Sequence, residues 1–257
     1  MASNDVSFAD RYGSWALIAG ASDGVGAAYA HEMAHRGVNV LLLARRQALL
    51  RDLAADIRAN AQVEAQPVPM DLAQQDAFTR ILEATDGLEV GMVMYNAGAD
   101  PYYEHFLTYP VEPALAMIHR NCVVPTQLCH HFGGLMQTRG RGGIVLVSSA
   151  GGLMGRVNMV TYGGTKAFDT VFAEALWAEL LGSGVDVLAP ILGATDTPAL
   201  RRLLSKRGML SEADDATSLP ATVSGDLPTW PRLGCAADRG CFPDRCIPIC
   251  RPVATVQ

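Results

Sequence analysis

Trp15-Ala16-Leu17-Ile18-Ala19-Gly20-Ala21-Ser22-Asp23-Gly24-Val25-Gly26 runs from five apolar residues into a turn with three glycines. An apolar run of this length reads as a strand buried on both faces, and a helical pattern over 25–36 follows at once. The glycines are spaced Gly20-x-x-x-Gly24-x-Gly26 across the junction. Gly20 allows the tight turn, Gly24 lets backbone approach a pyrophosphate, and Gly26 permits close helix packing. Ser22, Asp23 and Val25 complete the turn, with Asp23 placed to cap the helix. The helix start directs its free N–H groups and positive dipole end at any anion held there. This is the pattern of a dinucleotide-binding turn.

Strand and helix signals alternate onward to about residue 190. Strands are expected at 15–19, 38–43, 63–68, 90–95, 143–147 and 185–189, and helices at 25–36, 47–60, 73–84, 112–137 and 161–181. That alternation predicts an α/β fold, a Rossmann-like doubly wound parallel sheet with helices on both faces. The stretch 195–210 interleaves Leu200, Leu203, Leu204, Met209 and Leu210 with Arg201, Arg202, Lys206 and Arg207. It reads as an amphipathic helix, either a lid over a ligand or an ordinary surface helix. From about Pro228 the character changes, with Pro231, Pro243, Pro248 and Pro252 among Cys235, Cys241, Cys246 and Cys250 and no strand or helix period. The expected division is one domain over 1–227 and an irregular Pro/Cys-rich tail over 228–257.

The 257 residues are 49% hydrophobic, enough for the core of one large α/β domain. A net charge of −6 with no basic block argues against nucleic acid as a partner. No apolar run reaches the length of about 18 residues that a membrane helix needs, and 1–14 offers no signal peptide, so a cytoplasmic protein is expected. Cys122 and Cys129 are the only cysteines before position 235, and both read as small helical thiols, which fits a reducing compartment. The tail cysteines are spaced C-x5-C-x4-C-x3-C, without the C-x2-C pairs of common zinc sites, so no metal is expected.

Two further constellations carry chemistry. Arg45 and Arg46 follow the second strand, where an NAD site would place a carboxylate on the ribose 2′-hydroxyl. Two cations at a helix start oppose its dipole, and a 2′-phosphate would give them a use, so NADP(H) is favoured over NAD(H). Tyr162 and Lys166 lie one turn apart on one helix face, and Ser149 ends the apolar run 144–147, thirteen residues before the tyrosine. An ammonium beside a phenol favours the phenolate and tunes the tyrosine for proton exchange. Tyr162 would give its proton to a carbonyl oxygen, Ser149 would hydrogen-bond that oxygen, and alcohol oxidation would reverse the roles.

Together the glycine turn, Ser149, Tyr162 and Lys166 resemble the short-chain dehydrogenase/reductase family over residues 14–200. The resemblance implies further positions. Asp71, with Leu72, matches the residue after the third strand that contacts adenine, and Asn96-Ala97-Gly98 matches the motif that borders the cofactor. Asn121 matches the fourth catalytic residue, which helps hold a water linking the lysine to solvent, and Lys166 would also hydrogen-bond the nicotinamide ribose. After the sixth strand the family often has Pro-Gly, whereas this chain reads Pro190-Ile191-Leu192-Gly193-Ala194-Thr195-Asp196-Thr197, leaving Thr195 as the match to a cofactor contact. The tail stands where the family places a further helix and a seventh strand. A homodimer or homotetramer through 112–137 and 161–181 is implied as well.

The region 20–37 is similar to the hydroxysteroid dehydrogenase and 3-oxoacyl reductase branches of that family. Tyr102, Tyr103, Phe106 and Tyr109, with Leu153, Met154, Val157 and Met159, suggest a small hydrophobic carbonyl or alcohol as substrate, or else core and subunit contacts. An altered reading frame or a truncation product would also account for the tail's shift in composition, and a C-terminus changed in that way sustains a second reading, a nucleotide-binding sensor or scaffold without turnover. The intact acid–base trio argues against it, since a pure binder has no physical need for one.

Overall fold

Strand β1 (Trp15–Ala19) is buried along its whole length inside a parallel sheet, as an apolar run with no polar face requires. The structure, a computed structural model, describes residues 7–100 and 102–206. A short α1 (Phe8–Tyr12) precedes β1. There follow α2 (Gly24–His35), β2 (Asn39–Ala44), α3 (Gln47–Asn60), β3 (Ala65–Pro69), α4 (Ala77–Ala84) and β4 (Val90–Tyr95). Then come α5 (Glu112–Ile118), α6 (Val124–Arg139), β5 (Gly142–Leu146), β6 (Ser148–Ser149), α7 (Val160–Glu179), β7 (Val185–Leu188), β8 (Ile191–Leu192) and α8 (Pro198–Lys206). The six longer strands lie in the order β3-β2-β1-β4-β5-β7, all parallel. Strand order reverses at β1, and sheets of this kind bind ligands there, beyond the carboxyl ends of the strands.

Side-chain alternation along β1 feeds two cores. Ala16 and Ile18 pack with Tyr29 and Met33 of α2 and Leu50 and Ile57 of α3. Leu17 and Ala19 face the other way, toward Ile81 of α4, Leu128 and Phe132 of α6 and Ala173 of α7. Both faces of the sheet are therefore covered, which is the expected doubly wound architecture. Edge strand β3 contains Pro67 and Pro69, residues that lack a ladder donor and are tolerated at an edge.

Three elements differ from the sequence expectation. The helix expected at 73–84 begins at Ala77, because Asp71 Oδ1 accepts from the Ala73 N–H at 3.0 Å and a turn takes the preceding residues. The long helix expected at 112–137 is broken by a π turn, His119–Val123. Pro125 has no N–H to give the Asn121 carbonyl, so an α-helical ladder cannot run through this point, and the Val124 N–H reaches back five residues to His119. The third is the parallel pairing of β6 with β8, Ser148 opposite Ile191 and Ser149 opposite Leu192, which continues β5 past the sheet's edge. Helix α8 falls within the amphipathic stretch 195–210; Arg207, Met209, Leu210, the 227/228 boundary and the cysteine tail lie outside the described residues.

Among the described residues no helix is long and apolar enough to cross a membrane, and no cluster of His, Cys, Asp and Glu has metal-ligand geometry.

Candidate active site

The glycine turn packs tightly. A Cβ on Gly26 would lie 2.1 Å from the Gly20 carbonyl oxygen, and Asn96 Nδ2 donates to that same oxygen at 3.4 Å. Gly20 (φ +82°) sits against the Ala97 backbone, and Gly24 (φ +57°) adopts the left-handed backbone that glycine accepts without strain. Turn and Asn96-Ala97-Gly98 thus form one backbone wall at the ends of β1 and β4. Val25 packs into the α2–α3 core, Leu72 is buried, and Asp71 is half-buried.

Asp23 does not cap α2. Its side chain makes no capping hydrogen bond, which leaves the first-turn N–H groups without a side-chain acceptor. A bare glycine cradle with uncapped N–H groups at a helix start fits a pyrophosphate. The Asp23 carboxylate turns instead to Arg46 (2.8 Å) and to Arg202 of α8. Arg46 also donates to Ser22 Oγ at 2.6 Å, so this cation has a use inside the protein that the sequence did not suggest. Arg45 is exposed and has no polar partner among the described residues. Thr197 lies over Gly24, and Thr195 Oγ1 donates to the Gly193 carbonyl at 3.2 Å. The segment before α8 therefore closes over the turn.

Burial alone would raise the Asp23 carboxyl, but Arg202 and Arg46 outweigh it and hold it below its ordinary range. A depressed carboxyl contributes stability that is fully present above the unfolded value of about 4 and is lost as pH falls through the folded one. Protection of the α8 amides, taken as the slowing of exchange relative to the intrinsic rate at each pH, is therefore expected to fall below about pH 4 and to stay constant from there to neutrality; lost protection at neutral pH would contradict the clasp.

At the end of β5 the proton-transfer residues come together. Ser149 Oγ accepts from the Gly151 N–H at 3.1 Å. The point where a Gly151 Cβ would stand is 3.5 Å from Ser149 Oγ and 3.4 Å from Tyr162 Cε1, so serine and tyrosine flank one glycine. Lys166 is buried and donates to the Val147 carbonyl at 2.7 Å and to Asp169 at 2.9 Å. These hydrogen bonds hold the ammonium to strand and helix oxygens. A Cβ on Gly98 would lie 3.1 Å from Lys166 Nζ and 3.2 Å from Asn121 Oδ1, which brings lysine and asparagine to the same wall.

Asn121, in the π turn, is buried and hydrogen-bonded through both side-chain polar atoms. Its Nδ2 donates to Thr165 Oγ1 at 2.9 Å, and Thr165 in turn donates to the Tyr162 carbonyl at 2.9 Å. Arg120 donates to Asn121 Oδ1 at 2.9 Å and to the Ala99 carbonyl at 2.7 Å. Thr165, Arg120 and Asp169 escape a sequence reading; the available signals were Thr165 beside Lys166, Arg120 beside Asn121, and the i,i+3 spacing of Lys166 and Asp169. Burial pushes the Cys122 and Cys129 thiols up to about 11 and 12, so both are neutral SH groups near neutral pH.

The apolar residues expected around a substrate divide into two groups. Tyr102 and Tyr109 stack at 5.4 Å and Phe106 meets Tyr109 edge-on, a cluster between β4 and α5. Leu153, Met154 and Val157 are exposed beyond Ser149, and Met159 reaches back to Gly151. A separate open apolar groove of about 420 Å³ lies along α5 and α7, bordered by Phe106, Leu115, Ile118, Cys122 and Val160.

The short chain dehydrogenase family model matches residues 14–208. The chain is 37% identical over 191 residues to a 7beta-hydroxysteroid dehydrogenase of Collinsella aerofaciens, covering 74% of this chain and 72% of that protein. It is 32% identical over 197 residues to a very-long-chain 3-oxoacyl-CoA reductase of Danio rerio, covering 75% of this chain and 62% of that one. A short-chain dehydrogenase from Sphingobium yanoikuyae, solved in complex with NADPH, superposes with a TM-score of 0.70 at 28% identity over 81% of this chain and 78% of its own.

Proposed function

The chain belongs to the short-chain dehydrogenase family, and on that premise we propose that it is an NADP(H)-dependent oxidoreductase interconverting a hydrophobic ketone and its secondary alcohol. The observation that carries this reading is the convergence of Ser149 Oγ and the Tyr162 ring on Gly151 at the end of β5. The cofactor, when bound, supplies or accepts the hydride. Gly20, Ser22, Gly24 and Gly26 hold its pyrophosphate on bare backbone, and Arg45 and Arg46 take the 2′-phosphate. Asp71, Leu72, Asn96, Ala97, Gly98 and Thr195 border the rest. Tyr162 gives its proton to the carbonyl oxygen as charge develops there, and Ser149 hydrogen-bonds the same oxygen. In the oxidation direction Tyr162 takes the proton back.

Relatives named for steroids and very-long-chain acyl groups support a bulky apolar substrate, as do exposed Leu153, Met154 and Val157 beside the site. The groove between α5 and α7, with Leu115, Ile118 and Val160 partly exposed along it, supports a homodimer or homotetramer built on those helices. The sparse cysteines before position 235 favour a reducing compartment such as the cytoplasm.

The test is titration with NADPH and NADH, followed by loss of nicotinamide absorbance against a panel of steroid-like, fatty and sugar carbonyls. Turnover of polar sugars alone would defeat the substrate class; binding with no turnover across the panel would favour a sensor or scaffold. Arg46→Ala is expected to weaken NADPH binding by roughly ten- to a hundredfold, the worth of a hydrogen bond to a charged group, while leaving NADH binding unchanged. An equal loss for both cofactors would assign Arg46 to the Ser22–Asp23 turn and not to the phosphate.

A further inference from the structure

We infer that Asp169 is a positioning residue for Lys166, fixing its ammonium at the end of β5 beside Gly98 and Asn121. The inference rests on the reading of Tyr162 and Lys166 as a proton-transfer site. Asp169 stands one turn after Lys166 on the inner face of α7, and the two side chains are only 3% and 4% exposed. Asp169 Oδ2 accepts from Nζ at 2.9 Å while the Val147 carbonyl accepts at 2.7 Å, so the ammonium is clasped between helix and strand. Asp169 Oδ1 is buried and has no hydrogen-bond partner among the described residues.

A half-satisfied buried carboxylate is a poor device for stability. Desolvating both charges is costly, and an apolar pair of similar volume in place of both residues would serve a core as well or better. Its physical effect here lies on the lysine. A four-carbon stem has many rotamers, and with Val147 as sole acceptor the ammonium is free to leave the Gly98–Asn121 wall. Burial raises the Asp169 carboxyl, and the charge and hydrogen bond of Lys166 oppose that rise.

Asp169→Asn keeps the size of the side chain and one acceptor but removes the charge. It is expected to lower kcat by roughly ten- to a hundredfold, the cost of misplacing a catalytic group by about an ångström, with the ketone KM unchanged. Asp169→Leu strands the buried Lys166 ammonium without its counter-charge and is expected to melt below the wild type. The discriminating partner variant is therefore Asp169→Glu, which restores a carboxylate and should recover more of kcat than Asp169→Asn. Equal losses in both would point to a purely structural role. A spectroscopic readout stands apart from turnover. The chain has only two lysines, Lys166 and Lys206, so 15N-lysine labelling resolves the side-chain ammonium of Lys166. In the wild type it should exchange slowly with water, and in Asp169→Asn that slow exchange should be lost. Wild-type kcat in Asp169→Asn with an unchanged Lys166 signal would overturn the inference. Should the wild type reduce no ketone at all, the proton-transfer reading fails, and the Lys166 signal decides alone: fast exchange in the wild type overturns the clasp.

Discussion

Tyr162→Phe is expected to lower turnover by about 10²–10⁴-fold while NADPH affinity stays near that of the wild type. The Phe ring still fills the space beside Gly151, so packing at the end of β5 is conserved. What disappears is the hydroxyl that gives a proton to the developing alkoxide. Thr165 still donates to the backbone carbonyl of residue 162, and the link through Thr165 to Asn121 survives. Steady-state kinetics beside a cofactor titration separates the two effects. A Phe variant with wild-type kcat would remove Tyr162 from the chemistry, and one that no longer bound NADPH would show that the hydroxyl holds the cofactor's surroundings instead. Ser149→Ala should be milder in its effect on the protein, because among the described residues Ser149 Oγ accepts only the Gly151 N–H, and should lower kcat through loss of a donor to the same oxygen.

The parts of this site that were legible in the sequence depend on local pattern. Short apolar runs mark β1, β4 and β5 because each is buried on both faces, and glycines mark the turn because backbone must pass within contact distance of backbone there. Contacts set by distant partners were not legible. Asp23 reads as a helix cap from its neighbours, and only the fold brings Arg202 to it across 179 positions. The β6–β8 pairing is two residues long, below the length at which alternation carries a signal. The π turn hides in what reads as one continuous helix over 112–137, although Pro125 was its visible cause. Lys166 and Asp169 at i,i+3 look like a solvated helix pair, because sequence spacing places them on a common face without saying that the face points into the core.

Gly26→Ala tests the cofactor end with an equally large expected effect. The added methyl would start 2.1 Å from the Gly20 carbonyl oxygen, 2.8 Å from its carbon and 3.0 Å from Asn96 Nδ2. The first two are backbone atoms at the tight turn, so no side-chain rotation relieves the clash. The start of α2 must move away from β1, and the N–H groups of its first turn move with it. Overpacking of this kind costs about 1–3 kcal/mol, which for a chain of this size lowers Tm by roughly 2–12 °C. The larger consequence falls on binding. N–H groups aimed at a pyrophosphate lose their aim, and NADPH affinity is expected to drop by at least about a hundredfold, the loss of two or more charge-assisted hydrogen bonds. Gly134→Ala is the matched control, since that residue is exposed on α6 with nothing within 4 Å of its Cβ position. It should stabilise by about 0.5–1 kcal/mol through helix propensity and leave binding unchanged. Calorimetric titration of both variants decides the matter: a Gly26→Ala protein that binds NADPH as the wild type does would show that the turn's close packing serves the fold alone.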